Sequence, residues 1–328
     1  MVSVNTQWLV AENRADFVAA GELLQAGGVV ALPTETVYGL AADASQPEAV
    51  EKIFAAKGRP TNHPLIVHIA SIEHLERWAT AIPVWLPEVL EKLWPGPLTV
   101  LLPKRPDVSS VATGGLDTIG LRMPSHPVFL NLLREFDLAV AAPSANLYQR
   151  LSPTSAEQVF ESLQGRIDAV LDGGRCNVGT ESTILKVAED YAQVLRAGPV
   201  TLEMLAGLLP VPIRYENKHS EAVSGNKKVH YRPHARVVLT TAEKMTKCAQ
   251  DGAGFVLCSK PLNSTGIAQR VRYLGSDASH YRKEFYYALY ELDKLGCDTI
   301  YVEAPPQEPE WLDIWDRLSR AAYKNDLP

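Results

Sequence analysis

Short apolar runs alternate along the first two thirds of the chain with longer stretches in which apolar residues recur every third or fourth position. A short run bounded by turn formers fits a buried strand, and the three-four recurrence fits a helix that packs by one face. Strands are therefore predicted at 29–32, at 64–69 (PLIVHI), and at 98–102, 118–121, 138–142, 169–171, 183–187 and 193–195. Ser45-Gln46-Pro47-Glu48 has the spacing of a capping box with an early proline, so a helix is predicted from there to Lys57-Gly58. Further helices are predicted at 71–78, at 83–93, at 128–136 and from Thr154-Ser155 onward. Strands and helices in alternation give an α/β domain.

The pattern stops at residues 214–236, RYENKHSEAVSGNKKVHYRPHAR, which are polar, basic and without period; this reads as a linker. Beyond it, strands at 237–239, 255–257 and 299–302 alternate with helices at 242–250, 279–295 and 311–323. That order predicts a smaller, three-layer Rossmann-like α/β domain; it carries no GxGxxG, so dinucleotide binding does not follow. The predicted organisation is a first domain over 1–212, a linker over 213–235 and a second domain over 236–328.

Composition narrows the function classes. A net charge of −6 over 328 residues argues against a protein that coats nucleic acid, so any polyanion must be met locally. No apolar run approaches the roughly 20 residues that cross a bilayer, and MVSVNTQWLVAENRAD is too polar for a signal peptide, so a cytoplasmic protein without membrane attachment is expected. Cys176, Cys248, Cys258 and Cys297 lack CxxC spacing, which points to neither a zinc site nor a disulfide framework.

The chemistry-bearing residues lie where apolar runs end. Pro33-Thr34-Glu35-Thr36 leaves a strand with two hydroxyls and a carboxylate, and is either a capped turn or a ligand-facing loop. Lys57 and Arg59 sit on a stretch that Pro60 keeps from continuing as helix. They suit phosphate recognition by a point charge and a planar fork, or a helix end favoured by its dipole. Ser144 and Asn146 bracket Ala145 so that both face one way if the segment is extended, or simply form a turn. His68 is a core imidazole or a ligand, and Arg122 in GLRMP needs an anion, either from the protein or from a substrate. Glu35 and Glu181 could support a metal or hold structure through hydrogen bonds.

In order along the chain, PTETVYGL, KGRPTNHPLIVHI, PGPLTVLL, GLRMPSHP, APSAN, SPT, DGG with VGTESTI, and LRAG resemble the signature blocks of the YrdC-like domain of threonylcarbamoyl-AMP synthases. They cover about residues 20 to 200. The linker ending in HYRP and the second domain resemble the long, two-domain form, although SGNKKVHYRP stands where that form carries a proline-glycine-methionine element. The resemblance implies a twisted mixed sheet with flanking helices. It also implies condensation of L-threonine, bicarbonate and ATP to threonylcarbamoyl-AMP and pyrophosphate, with Mg2+ accompanying ATP and no protein metal site.

On the same basis Arg59, His63, Thr118, Ser144, Ser152 and Arg196 would face ATP, and Thr36, His68, Arg122, Ala142 and Ser182 would hold threonine. Lys57, Arg59, Ser144 and Asn146 match the family's K-x-R and S-x-N pairs and would stabilise charge as pyrophosphate leaves. The linker is expected to close over the first domain with Tyr231 near ATP or threonine, excluding water. The product would pass to a tRNA threonylcarbamoyl transferase complex, and weak tRNA binding is compatible with the resemblance. The competing reading is a non-catalytic module that binds tRNA or double-stranded RNA.

Overall fold

A computed structural model describes residues 4–216, 221–225, 230–245, 252–259 and 268–325. Cys248, the end of the helix expected to reach Gln250, and residues 217–220 and 226–229 of the linker lie outside the described residues. The chain forms two compact units: Met1–Tyr148, Pro153–Asn177 and Glu181–Asn226 make the first, and Gln149–Ser152, Val178–Thr180 and Lys227–Pro328 the second. Two short pieces from within residues 1–212, expected to form the first domain, thus belong to the second unit.

In the first unit the strands are β1 (Gln7–Val10), β2 (Val30–Leu32), β3 (Gly39–Asp43), β4 (Ile66–His68), β5 (Leu98–Pro103), β6 (Thr118–Arg122), β7 (Val140–Ala141), β8 (Ala169–Asp172), β9 (Thr183–Val187), β10 (Ala192–Arg196) and β11 (Ile213–Tyr215). They run in the order β1-β8-β2-β3-β7-β4-β6-β5-β9-β10-β11, a mixed sheet. Among the described residues seven α-helices accompany it: α1 (Arg14–Gln25), α2 (Pro47–Lys57), α3 (Leu75–Trp78), α4 (Leu86–Leu93), α5 (Pro127–Glu135), α6 (Ala156–Leu163) and α7 (Leu202–Ala206). The main core joins Leu40, Val67, Val100 and Leu121 of the sheet to Val50, Ile53 and Phe54 of α2 and Leu90 of α4. Each such side chain fully buried contributes about 1.5 to 3 kcal/mol.

Residue alternation along the strands decides where chemistry can sit. Val67 and Leu121 point into the main core, so their neighbours His68 and Arg122 face the other side of the sheet. Parallel pairing of β4 with β6 sets His68 directly beside Arg122. The strand ends therefore deliver a ring and a cation to one place.

Several local expectations need correction. The box Ser45…Glu48 does not start α2: its N-cap is Gln46 without a side-chain cap, while the Ser45 amide and hydroxyl bind Asp43 instead. Asp43 ends β3, so a turn competes successfully for the serine. A true capping box forms at α6, between Ser155 and Gln158. The other end of α2 is as expected, with Gly58 at φ 63°, a left-handed conformation that stops the helix at Lys57. Residues 213–215 are not loop; they add β11 alongside β10. The segment at 71–78 is a 3-10 turn, Ile72–His74, running into the single helical turn α3.

The second unit contains β12 (Arg236–Thr240), β13 (Ala253–Leu257), β14 (Val271–Tyr273), β15 (Thr299–Glu303) and β16 (Lys324–Asn325), in the order β14-β13-β15-β12-β16 with every pair parallel. Helices α8 (Ala242–Met245), α9 (Ala278–Lys294) and α10 (Leu312–Ala321) lie between them in sequence. This is the small parallel α/β unit that the pattern predicted. At the carboxyl end of β15, Glu303 accepts the backbone amides of Cys258 and Ser259, so two donors at the end of β13 are met by the protein itself.

Candidate functional site

The PTET segment leaves β2 and is fixed by its own first hydroxyl. Thr34 Oγ1 accepts the amides of Thr36 (3.0 Å) and Val37 (3.1 Å) and donates to the carbonyl of Val37 (2.7 Å). The turn reading is thus right for Thr34. It is not the whole account, because the next two residues face Arg122. Arg122 Nη2 donates to Glu35 Oε1 at 2.6 Å and to Thr36 Oγ1 at 2.9 Å, and Nε donates to the carbonyl of Gly96 at 3.3 Å. The other oxygen of Glu35 accepts the amide of Ser125 at 3.1 Å. The anion that Arg122 required is therefore a carboxylate of the protein, and both partners are buried. Its Nη1 makes no hydrogen bond among the described residues.

His68 is 2% exposed and stacks on Phe129 with ring centroids 5.2 Å apart. Burial, and then the Arg122 charge, hold its imidazole well below the ordinary histidine value, so the ring is neutral at physiological pH. Cys176 lies in the same surroundings, its thiol pushed up by burial and by Glu35, and so is kept from forming a nucleophilic thiolate. Ala142, at the end of β7, donates its amide to the carbonyl of Ile66 in β4.

Lys57, at the end of α2, is buried. Its ammonium donates to the carbonyl of Asn146 at 2.6 Å, to Asn146 Oδ1 at 3.4 Å and to the carbonyl of Ser144 at 2.5 Å. The i, i+2 spacing of Ser144 and Asn146 thus turns two backbone carbonyls toward one cation. Burial, and then the Arg59 charge, lower the Lys57 pKa well below the ordinary lysine value. Lys57 shapes the S-A-N loop, and the loop in turn leaves Ser144 half-buried.

A second cationic pair converges at the linker. Arg59 Nη2 donates to the carbonyl of Pro64 at 2.9 Å and to Ser224 Oγ at 3.4 Å. Arg196, at the end of β10, donates from Nη1 to the carbonyl of Ser224 at 3.0 Å, and from Nε and Nη2 to the carbonyl and hydroxyl of Ser182 at 3.0 and 3.1 Å. Ser182 Oγ is also 2.7 Å from Thr99 Oγ1. His63 is half-buried and packs its ring against Tyr148, and Thr118 is half-buried at the start of β6.

Comparison with known proteins agrees with this arrangement of blocks. Residues 22–198 match the family described as "Telomere recombination", and residues 200–323 match "Threonylcarbamoyl-AMP synthase, C-terminal domain". The threonylcarbamoyl-AMP synthase of Pyrococcus abyssi is 38% identical over 317 residues, covering 93% of this chain and 93% of that one. The Bacillus subtilis enzyme of the same name is 38% identical over 324 residues, covering 94% of each. The chain belongs to the threonylcarbamoyl-AMP synthase family.

Among solved structures, that of P. abyssi Sua5 complexed with L-threonine superposes with a TM-score of 0.88 at 35% identity, covering 98% of this chain and 100% of that one. Escherichia coli YciO, with a TM-score of 0.52 at 21% identity, shares the fold of the first unit.

Two expected members of the site group elsewhere. Ser152 is buried in the segment Gln149–Ser152 and Tyr231 in the segment from Lys227 onward, both parts of the second unit. Tyr231 stacks on Tyr286 at 5.7 Å and lies 4.1 Å from the His230 ring, with the Arg317 guanidinium 5.7 Å from its own ring. The linker residue that meets both Arg59 and Arg196 is Ser224. Sequence reasoning missed it, and missed Thr99 as the partner of Ser182. A polar residue inside the apolar run LTVLL was the available signal for Thr99. Among the described residues no group of three or more His, Cys, Asp or Glu could hold a metal ion, and Glu35 is committed to Arg122 and Ser125. No helix among them is long and apolar enough to cross a membrane.

Proposed function

We propose that this chain joins L-threonine, bicarbonate and ATP into threonylcarbamoyl-AMP with release of pyrophosphate. The observation that carries the reading is the buried Arg122, held by Glu35 and Thr36 on one side of its fork while Nη1 stays uncommitted beside a neutral His68. Such a fork can take a substrate carboxylate with little reorganisation. Thr36, His68, Ala142 and Ser182 then complete the threonine pocket, and Arg59, His63, Thr118, Ser144 and Arg196 serve ATP.

The chemistry balances without a redox partner. The threonine amine attacks the carbon of bicarbonate and water leaves, giving a carbamate. A carbamate oxygen then attacks the α-phosphorus of ATP, and the bond to the bridging oxygen breaks to free pyrophosphate. Charge moves onto the leaving group, where Arg59 and Arg196 would stabilise it; one preorganised donor of this kind contributes about 10²–10³ in rate. Ser224 occupies both cations here, so its hydroxyl and carbonyl mark where phosphate oxygens would replace protein ones. Lys57 acts by holding the S-A-N loop through two of its carbonyls. Mg2+ would arrive with the triphosphate, held by phosphate and water.

The product is a labile mixed anhydride of the kind a tRNA-modifying transferase would consume in the cytoplasm. Pyrophosphate release measured with each substrate omitted in turn tests the reading: release should need threonine and bicarbonate together. The RNA-binding alternative predicts steeply salt-dependent RNA affinity with no threonine requirement.

A further inference from the structure

The chain leaves the first unit at Asn177 and returns to it at Glu181, and the three residues between, Val178–Thr180, belong to the second unit. Two observations show how firmly they are held there. Gly179 has φ +84° and packs so closely on α9 that a Cβ at this position would stand 2.5 Å from the carbonyl oxygen of Lys283 and 2.6 Å from that of Arg282. No other residue fits the place without moving the backbone. Thr180 is fully buried and its hydroxyl donates to Asp313 Oδ2 at 3.1 Å. Asp313, on α10, is itself fixed by Arg282 of α9, which donates from Nε at 2.6 Å and from Nη2 at 2.9 Å. Arg282 Nη2 also reaches the carbonyl of Glu310 at 2.9 Å.

We infer that Thr180, gripped by the Arg282–Asp313 pair, is a positioning residue for Ser182, and that the second unit sets threonine affinity through this grip. The inference rests on the proposed threonine role of Ser182. Two peptide bonds separate the two residues, too short a path to absorb a displacement without moving the serine. Ser182 sits in a tight set of bonds, Thr99 on its hydroxyl and Arg196 on both its hydroxyl and carbonyl. A shift of its backbone therefore disturbs a hydroxyl and a guanidinium at once, and small misplacements of a binding group carry large penalties. The residue types agree with this role: a glycine that admits the close approach, then a hydroxyl that can be read by a carboxylate already oriented.

The test compares full-length Thr180→Val, which keeps the volume and the Arg282–Asp313 pair, with Thr180→Ser, which keeps the hydroxyl. Thr180→Val should raise the KM for L-threonine about tenfold, the size of losing one hydrogen bond to a charged group, with the KM for ATP within about twofold of wild type. Thr180→Ser should restore the threonine KM. Amide hydrogen exchange supplies a readout that does not depend on turnover: exchange over Glu181–Thr183 should quicken in Thr180→Val and not in Thr180→Ser. Unchanged threonine KM and unchanged exchange in Thr180→Val would overturn the inference, as would equal losses toward threonine and ATP, which signify general destabilisation. Wild-type protein without threonine-dependent pyrophosphate release would sink the proposed activity, and the exchange comparison would then decide the grip alone.

Discussion

Among the described residues, Arg122–Glu35 in the first unit and Arg282–Asp313 in the second are ion pairs with both partners buried, and they differ in how they are closed. Arg282 gives Nε and Nη2 to Asp313, adds the carbonyl of Glu310, and Thr180 completes the carboxylate's bonds. Arg122 meets Glu35 through Nη2 alone and shares that nitrogen with Thr36. A bidentate pair with a hydroxyl added fixes geometry, whereas a pair closed through a single nitrogen leaves its arginine able to take an incoming anion. The comparison teaches that burial of an ion pair does not mark function; how the pair is closed distinguishes the two.

Removing Arg122 should break the comparison most severely. Arg122→Ala is expected to lower kcat/KM for threonine about 10³-fold, near 4 kcal/mol, because the substrate carboxylate loses its fork and Glu35 is left buried without its cation. Steady-state kinetics with threonine varied would show it; a change confined to the ATP parameters would assign the arginine to the wrong substrate. In the bidentate pair, Arg282→Met should destabilise the protein by about 3 kcal/mol through the stranded Asp313. Urea unfolding of the full chain measures this, and a variant as stable as wild type would mean that the pair contributes specificity alone.

Lys57→Met sharpens a third case, a buried cation without a carboxylate. Its loss removes the ammonium that the Ser144 and Asn146 carbonyls accept and that sets the loop's shape, so kcat/KM for ATP should fall by about 30-fold, near 2 kcal/mol, with threonine binding retained in calorimetry. Loss of threonine binding instead would place the loop at the amino-acid end.

The smallest effect concerns His68. Its folded pKa lies below the ordinary 6.5, so below about that pH the unfolded chain takes up a proton that the folded chain refuses. Stability should thus fall as pH drops through this range and stay level above it, by at most about 1.4 kcal/mol per pH unit. His68→Gln lacks this dependence, and parallel melting curves for wild type and variant would reveal a flat difference if the ring were free to titrate.

How much of this was legible beforehand depended on distance along the chain. The runs PLIVHI, LTVLL and TIGLR announced β4, β5 and β6, because each is apolar enough to be recognised locally. β3 is GLAAD, small residues with little strand preference, and forms because β2 and β7 flank it. α1 went unmarked since RADFVAAGELLQ starts behind an asparagine cap within a polar stretch. In the site, Arg122 signalled a missing anion, yet its sequence could not choose between substrate and Glu35, 87 residues away. Lys57 read as a phosphate ligand because nothing local shows that its ammonium ends on backbone carbonyls. The Thr99–Ser182 contact, 83 residues apart, was illegible for the same reason.

The most direct measurement of the central claim is binding of L-threonine by titration calorimetry to wild type, Arg122→Ala and Arg282→Met, all at a temperature where each is folded. The account predicts that wild type and Arg282→Met bind threonine, the latter more weakly because its grip on Val178–Thr180 is loosened, and that Arg122→Ala shows no measurable heat. Threonine binding to Arg122→Ala with wild-type affinity would contradict it.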